Sequence, residues 1–211
     1  MFNGIVSELG EIAKIEESAD LKKVWIKAPK TILNKKVGAS ISVEGICSTI
    51  IEIKEDEFVT EYMKETLEKT TATSLTQGKK VNLEEAIKMG DPIDGHMVLG
   101  HVDSKAKVIN LKTNGSVAEL IIELPEDLMK YTAIKGSITI NGVALTISRI
   151  EESSISVSLI PHTLANTSLN QLKAGDFVNI EVDMIARYLK SLLDTKESEI
   201  TYEFLRERNF L

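Results

Sequence analysis

Several residue types are scarce in this chain of 211 residues, and each scarcity excludes a class of protein. The single cysteine cannot form an internal disulfide, so the chain is not a small secreted scaffold held by disulfides. No apolar run approaches the roughly 20 residues that a membrane-spanning helix needs. The first stretch, MFNGIVSELGEIAKIEE, lacks the basic segment and apolar core of a secretory signal. We therefore expect a cytoplasmic protein with no membrane partner.

Positive charge is also in deficit. Lys and Arg together number 25 against 32 Asp and Glu, which leaves a net charge of -7. Such a surface repels a phosphate backbone, and the sequence has no basic stripe with interleaved aromatic residues. The glycine-rich motifs of dinucleotide and P-loop sites are missing as well. We expect neither a nucleic-acid partner nor a nucleotide cofactor.

The residues that most often bind zinc and other transition metals are few, because the chain has only three histidines and one cysteine. His96 and His101 are five residues apart, and on a strand that odd separation places the two rings on opposite faces. No Cys-x-x-Cys pair and no His-Glu-x-x-His helix is present. We therefore predict no metal site and no cofactor.

What the sequence does contain is a repeat. MFNGIVSELGEIAKI, from Met1, aligns with MVLGHVDSKAKVINL, from Met97. Further on, GKKVNLE from Gly78 aligns with GDFVNIE from Gly175. A register held over so many positions indicates two copies of one domain. We predict domains at residues 1–96 and 97–184, followed by a C-terminal segment at residues 185–211.

Each copy has the pattern of β structure. Short segments rich in Val, Ile and Thr alternate with Gly, Asn, Asp and Ser, and about six strands fit in each half. Six short strands leave exposed edges unless they close on themselves. The predicted fold is therefore all-β, with two tandem homologous six-stranded Greek-key barrels and a C-terminal α-helix. Short helices are also predicted at residues 83–89 and 125–132.

The predicted C-terminal helix has one apolar face. Its apolar side chains recur at helical spacing, at Ile185, Tyr188, Leu189, Leu192 and Leu193. Two interpretations are open at this point. The face either covers the mouth of its own barrel or packs against another copy of the chain.

The strands EGICSTIIEI and NGVALTISRI occupy equivalent places in the two copies, at residues 44–53 and 141–150. Side-chain alternation puts Val143, Leu145 and Ile147 inside the second barrel, and Ala144 and Thr146 outside. The same alternation places Cys47 and Thr49 on the outer face of the first barrel. The threonines are either plain strand residues or site residues, and the cysteine is either a small packing residue or a nucleophile. A duplicated pocket suits an enzyme that holds two similar substrates, but duplication is equally compatible with a purely structural origin.

On these residues the chain resembles the riboflavin synthase family along its whole length. The resemblance is carried by MFNGIV, SISVEGICSTI, YMKETLEKTT, DGHMVLGHVD, KGSITINGVALTI, LIPHTLANTSL and VNIEVDMIARYL. It implies a dismutation of two molecules of 6,7-dimethyl-8-ribityllumazine, in which one gives a four-carbon unit to the other. The products are riboflavin and 5-amino-6-ribitylamino-2,4-pyrimidinedione, in the last step of riboflavin biosynthesis. The resemblance further implies that no cofactor is needed, that the C-terminal helix holds a homotrimer with active sites between neighbouring subunits, and that lumazine synthase is a candidate partner.

Carried over by position, the resemblance implies two lumazine pockets. One is expected to be lined by Gly4, Ile5 and Val6, by Glu61, Tyr62, Met63, Lys64, Glu65 and Thr66, and by Cys47, Ser48 and Thr49. The other is expected to be lined by Gly100, His101 and Val102, by Ile160, Pro161, His162, Thr163, Leu164 and Ala165, and by Ala144, Leu145 and Thr146, with Lys135 nearby. Phe2 and Ser40 match further substrate-binding positions of the family.

The resemblance also implies catalytic roles for Cys47, His101, Thr146 and Asp183. His101 and Thr146 are expected to handle protons, Cys47 to assist addition at a pteridine carbon, and Asp183 to orient the reacting groups.

Three positions depart from the family pattern. Ser48 replaces a Leu, so that its hydroxyl must find a hydrogen bond inside an apolar face. Glu44 stands where the family usually has Asn, and Ala144 where it usually has Ser. The loss of a hydroxyl at Ala144 keeps a second function open, that of a non-catalytic lumazine- or flavin-binding relative.

Overall fold

The structure is a computed structural model that describes residues 1–194 and residue 206. This part of the chain contains thirteen strands in two groups. The first group consists of β1 (Glu8–Glu17), β2 (Leu21–Lys27), β3 (Ser40–Val43), β4 (Ile46–Thr49), β5 (Glu52–Lys54), β6 (Glu57–Met63) and β7 (Lys80–Glu85). The second consists of β8 (Ser104–Asn114), β9 (Val117–Glu123), β10 (Ser137–Ile140), β11 (Val143–Ile150), β12 (Ser154–Leu159) and β13 (Phe177–Val182).

The second group forms a closed barrel in the order β10-β11-β12-β9-β8-β13, in which β13 pairs back with β10. The first group has the order β4-β3-β7-β1-β2-β6-β5. Its end strands, β4 and β5, are two pieces of the segment equivalent to β11, and only Ile50 and Ile51 separate them. The Ile51 amide donates to the Val59 carbonyl across this break, at 2.9 Å. The prediction of an all-β protein with two related barrel units is confirmed, and the first unit is the less regular one.

Each barrel has its own hydrophobic core, because inward positions of its strands alternate with outward ones. The first core is built mainly from buried Ile, Val and Leu with the two rings of Phe58 and Tyr62, and its aliphatic members include Ile12, Val24, Ile26, Ile41 and Leu83. The second core is aliphatic and includes Val108, Leu120, Ile122, Ile138, Ile147 and Ile180. In both, the strand that follows the hairpin glycine buries its first residue, Ile46 or Val143, as the alternation predicts.

Short helices occur at equivalent points of the two halves. α1 (Lys64–Lys69) follows β6 and α3 (Pro161–Asn166) follows β12, while α2 (Glu126–Met129) confirms the helix predicted at residues 125–132. The helix predicted at residues 83–89 is wrong, because β7 continues through Glu85, paired with β1 and β3, and no helix follows it in this stretch. Sheet pairing on both sides outweighs the helical propensity of this segment.

The C-terminal helix α4 (Met184–Asp194) is present, as predicted. An ion pair between Arg187 and Asp103 joins it to the second barrel. Its predicted apolar stripe is 50 to 63% exposed, so this face does not cover a barrel mouth of its own chain. The rest of the predicted segment 185–211 lies outside the described residues, apart from residue 206. Within the described part, no helix is long and apolar enough to cross a membrane.

The two barrels meet at their hairpins. Each hairpin has a two-residue loop with both residues in the left-handed region, Glu44-Gly45 in the first barrel and Asn141-Gly142 in the second. A Cβ atom on Gly45 would lie 2.7 Å from the Gly142 backbone nitrogen, and the reverse holds for Gly142. Only glycine permits this approach of two backbones.

Equivalent side chains bridge the two hairpins in reciprocal fashion. Asn82 Nδ2 donates to the Asn141 carbonyl at 2.9 Å, and Asn179 Nδ2 donates to the Glu44 carbonyl at 2.8 Å. The same two asparagines accept through Oδ1 from the amides of Ser168 and Thr71, each at 2.7 Å. An approximate twofold axis therefore relates the barrels, and it decides which surfaces of the two copies face each other.

Candidate active site

The segments that precede the two barrels cross over to the opposite barrel. The Gly4 carbonyl accepts a hydrogen bond from the Ala144 amide at 2.8 Å, and the Gly100 carbonyl accepts one from the Cys47 amide at 2.9 Å. A Cβ atom on Gly4 would lie 2.6 Å from Ala144 Cβ, and one on Gly100 would lie 2.8 Å from Cys47 Cβ. Both glycines have positive φ, so close approach and backbone conformation each require glycine here.

The predicted composition of the two pockets is therefore wrong in one respect. Gly4, Ile5 and Val6 belong with Ala144, and Gly100, His101 and Val102 belong with Cys47. The repeat alignment shows that Gly4 and Gly100 are equivalent, but it does not show which barrel each one contacts. That choice follows from the twofold arrangement of the barrels, which a single sequence does not reveal.

The Cys47 pocket is a cleft of about 390 Å³ between β4, α1 and the segment from Gly100 to Val102. This volume falls in the range of small-molecule sites. Cys47 is a half-buried free thiol, and His101 is an exposed ring on the same cleft. Glu65, Thr66 and Lys69 of α1 complete the wall, and Lys69 Nζ contacts Glu65 Oε1 at 2.8 Å. The structure thus brings together three of the polar residues predicted for the first barrel, Cys47, Glu65 and Thr66, and adds His101 from the segment that crosses over.

A second cleft, of about 450 Å³, lies between the stretch from Val6 to Leu9 and α3. His162, Ala165 and Asn166 line it, and Asn166 Nδ2 donates to the His162 carbonyl at 2.8 Å. Ala144 lies behind Gly4 and is half-buried. In the repeat, His162 and Asn166 replace Glu65 and Lys69 of the first cleft, so the two sites differ in charge as well as at the Cys47 position.

Other predicted site residues are exposed or half-buried but do not line either cleft. Thr49 and Thr146 are exposed and pair in register with Ser40 and Ser137. Lys135 is exposed, with a φ of 69° in the left-handed region. The remaining exposed or half-buried positions of the two predicted segments are Glu61, Met63, Lys64, Ile160, Pro161, Thr163 and Leu164.

Three predicted ligand contacts have buried side chains. Ser48 and Tyr62 are each 2% exposed inside the first barrel, and Phe2 is fully buried. Side chains enclosed in this way do not contact a ligand at the surface, so the prediction is corrected for these three side chains. Leu145 is half-buried and packs against the second core, and its place in a ligand site stays a prediction.

The buried Ser48 has the partners that its hydroxyl requires. Its Oγ donates to the Ile46 carbonyl at 3.0 Å and lies 2.9 Å from the Tyr62 hydroxyl. In the second barrel the equivalent positions hold Leu145 and Leu159. A Ser-Tyr pair thus replaces a Leu-Leu pair, and the smaller residue leaves room for the larger one. Burial raises the pKa of Tyr62, which keeps its hydroxyl neutral and able to donate.

Asp183 and the histidines have separate environments. Asp183 Oδ1 accepts from the Ile185 amide at 2.9 Å and so caps the start of α4. His96 and His101 lie outside the named strands, which corrects the strand assumed for them; His96 Nε2 lies 3.1 Å from Thr139 Oγ1, and burial lowers the pKa of His96. Among residues 1–194 and 206, no three His, Cys, Asp or Glu side chains converge as metal ligands would.

Sequence reasoning missed two carboxylates that hold the crossing segments. Glu84 accepts from the Asn3 amide at 2.5 Å and the Gly4 amide at 3.0 Å. Glu181 accepts from the Leu99 amide at 2.7 Å and the Gly100 amide at 2.9 Å. Burial raises the pKa of Glu84 to about 7 and also raises the pKa of Glu181. Glu84 ends the stretch VNLE and Glu181 ends the equivalent stretch VNIE. The presence of the same carboxylate in both copies was the sequence signal that could have identified them.

Glu44, the second departure from the family pattern, lies in the interface between the barrels. Its Oε1 accepts from the Asn82 amide at 2.6 Å and from Ser168 Oγ at 2.9 Å. In the second copy, Asn141 Oδ1 makes the equivalent bond to the Asn179 amide at 2.7 Å. Glu44 therefore retains the acceptor that an Asn supplies. Because it is fully enclosed, burial raises its pKa to about 7.

Comparisons with known proteins agree with this architecture. The family model described as "Lumazine binding domain" matches twice, at residues 3–86 and 99–183. Riboflavin synthase of Bacillus subtilis (strain 168) is 35% identical over 215 residues, and that of Photobacterium phosphoreum is 35% identical over 217 residues. Both alignments cover 100% of this chain and 100% of the relative.

Solved structures of LumP have the same fold. LumP complexed with riboflavin aligns with a TM-score of 0.81 at 30% identity, and LumP complexed with 6,7-dimethyl-8-(1'-D-ribityl) lumazine with a TM-score of 0.79 at 29% identity. Each covers 86% of this chain and 99% of LumP. With two matched domains and similarity along its entire length, this chain belongs to the riboflavin synthase family.

Proposed function

We propose that this protein is a riboflavin synthase, which converts two molecules of 6,7-dimethyl-8-ribityllumazine into riboflavin and 5-amino-6-ribitylamino-2,4-pyrimidinedione. The observation that carries the proposal is the pair of lumazine binding domains with related but different clefts. A dismutation needs two bound copies of one substrate, one as donor and one as acceptor. The two products together contain the atoms of two substrates, so no external oxidant or reductant is required.

The Cys47 cleft supplies the groups proposed for the chemistry. The thiol of Cys47 and the ring of His101 border the same space, where the thiol assists addition at a pteridine carbon and the ring accepts or returns a proton. Thr146 is proposed to handle protons on the second barrel, and Asp183 to orient the groups around it. The pteridine ring stabilises the carbanion formed at its 7-methyl group, which supports a reaction without metal or cofactor.

We further propose a cytoplasmic homotrimer with domains at residues 1–96 and 97–184. The apolar stripe of α4 supports this, because side chains such as Ile185, Tyr188 and Leu189 are at least half exposed in the single chain. Burying the exposed half of each aliphatic side chain in a contact between copies contributes about half of the roughly 1.5 to 3 kcal/mol that full burial gives. In such an assembly the first barrel of one subunit faces the second barrel of its neighbour, which brings two lumazines together. Lumazine synthase is retained as a candidate partner.

The direct test is to incubate the purified protein with 6,7-dimethyl-8-ribityllumazine alone and to follow riboflavin fluorescence. We expect one riboflavin for every two lumazines consumed, and unchanged turnover after exhaustive treatment with EDTA. Loss of activity with EDTA and its return with zinc would contradict the metal-free reaction.

A second function, a lumazine or flavin carrier, is favoured by one specific observation. Ala144 places no hydroxyl or thiol at the position equivalent to Cys47. The similarity to LumP structures that contain riboflavin or the lumazine fits this function as well. Tight binding of the lumazine by calorimetry, with no riboflavin formed, would select the carrier over the enzyme.

A further inference from the structure

The two crossing segments are held by side chains of one barrel while they line the pocket of the other. Glu84 is on β7 of the first barrel, yet the Gly4 that it holds lies against Ala144 of the second barrel. Glu181 is on β13 of the second barrel, yet the Gly100 that it holds lies against Cys47 of the first barrel. Each pocket wall is thus fixed from across the interface.

We propose that Glu84 and Glu181 are positioning residues that set the geometry of the ligand pocket on the opposite barrel. Glu84 positions the Gly4 to Val6 wall beside Ala144, and Glu181 positions the Gly100 to Val102 wall beside Cys47. The proposal rests on the proposed function in so far as these pockets bind the lumazine. Neither carboxylate is a catalytic residue, because each acts through the backbone segment that it holds.

The bond geometry explains why a carboxylate is suited to this task. Each one accepts two consecutive backbone N–H groups, one on each oxygen, at distances between 2.5 and 3.0 Å. Two such bonds fix both the position and the direction of a segment, whereas one bond leaves it free to rotate. A Gln side chain offers one acceptor oxygen and one NH₂ donor. In the Gln variant one backbone N–H therefore faces another donor, and the segment must shift.

The two walls are also joined to each other. The Phe2 amide donates to the Val98 carbonyl at 2.7 Å, and the Val98 amide donates back to the Phe2 carbonyl at 3.0 Å. These two residues precede Gly4 and Gly100 by two positions each. The hydrogen bonds between them hold the far ends of the walls, and the two carboxylates hold the ends that enter the pockets.

The single cysteine of the chain permits a test that needs neither turnover nor ligand. Cys47 lies directly under the Gly100 wall, so the rate at which its thiol reacts with 5,5'-dithiobis(2-nitrobenzoate) reports on that wall. We expect Glu181→Gln to raise this rate at least about threefold at constant pH. Glu84→Gln is the matched control on the other barrel, and we expect it to leave the rate within about twofold of the parent.

The reciprocal experiment uses the double substitution Cys47→Ala and Ala144→Cys, which moves the only thiol to the other pocket. In that background the expectation reverses, so that Glu84→Gln raises thiol reactivity and Glu181→Gln does not. Glu84→Asp and Glu181→Asp replace the Gln variants if these do not fold, since a carboxylate shortened by one CH₂ also moves the wall. A residue that merely stabilised the fold would lower the melting temperature without producing this crossed pattern.

The crossed pattern in both backgrounds supports the proposal. An equal increase from both substitutions, an effect confined to the pocket of the same barrel, or no change in either background overturns it. The failure of the proposed function is a separate result. If the protein shows the crossed pattern but makes no riboflavin, the positioning role stands and the proposed function fails. If it makes riboflavin without the crossed pattern, the proposed function stands and the positioning role fails.

Discussion

Glu44→Gln is expected to make the protein's stability less sensitive to pH, because Glu44 is an ionisable group enclosed between the two barrels. Its Oε1 accepts from the Asn82 amide and Ser168 Oγ, and a Gln oxygen can accept the same two bonds. The substitution therefore removes the ionisation while it retains the shape and these contacts. The charged groups that act on Glu44 include Lys79, which lowers its pKa, but burial has the larger effect.

The size and sign of the effect follow from the pKa. Burial raises the pKa of Glu44 from its ordinary value of 4.5 to about 7, so the folded protein holds this proton more tightly than the unfolded chain. The stabilising contribution is fully present below pH 4.5 and is lost as pH rises through about 7. A tenfold change in proton affinity corresponds to about 1.4 kcal/mol. The parent should therefore lose roughly 3 kcal/mol of unfolding free energy between pH 4.5 and 8 that the Gln variant retains.

Urea unfolding of both proteins at several pH values measures this difference, at one protein concentration because assembly also affects stability. All other titrating groups, Glu84 and Glu181 included, cancel in the comparison. Glu44→Asn is a second control. It places in the first hairpin the residue that the second hairpin has at the equivalent position, Asn141, and Asn favours the left-handed conformation of this turn. If parent and Gln variant lost stability in parallel as pH rose, Glu44 would be ionised throughout and the assigned burial effect would be incorrect.

Further predictions concern the pockets, the first core and the assembly. Cys47→Ala should lower riboflavin formation tenfold or more, about 1.4 kcal/mol of barrier, with little change in lumazine binding by calorimetry; an unchanged rate would make the cysteine a packing residue. Ala144→Ser should raise turnover or leave it unchanged, and a parent that is inactive until this substitution would be a carrier. Tyr62→Phe should lower the unfolding free energy by about 1 kcal/mol, and the effect should largely vanish in a Ser48→Ala background, as a double-mutant cycle would show. Ending the chain after Ala186 should dissociate the trimer, and a trimer that persisted in light scattering would exclude α4 as the assembly element.

The parts of the fold that depend on local patterns could be predicted from the sequence. Alternation placed Val143 and Ile147 inside the barrel, and helical spacing located α4. The hydroxyl of Ser48 was expected to need a partner, and it has two. These features follow from side-chain periodicity and from the cost of an unpaired polar group, and both act within a few residues.

The features that depend on how the barrels meet could not be predicted. Nothing local indicates that Gly4 contacts the second barrel and Gly100 the first, because the contact is fixed by the twofold axis between Gly45 and Gly142. The same limit concealed the role of Glu84, whose hydrogen-bond partners are about 80 residues away in the chain. α1 and α3 were missed because six residues are too few to show a helical period.

The comparison of the two copies bears on why the domain was duplicated. The residues that match are those of the frame, such as Asn82 with Asn179 and Glu84 with Glu181, and they make equivalent hydrogen bonds. The copies differ in the core and at the hairpins, but they also differ at the clefts, where the ion-paired Glu65 and Lys69 are replaced by His162 and Asn166, and beside the crossing segments, where Cys47 is replaced by Ala144. The shared frame does not require these differences at the clefts, because its hydrogen bonds are made by other residues. An enzyme that binds one molecule in two roles does require different pockets. Only interactions that are stronger in the transition state than in the ground state raise the rate, and the donor and the acceptor need different ones.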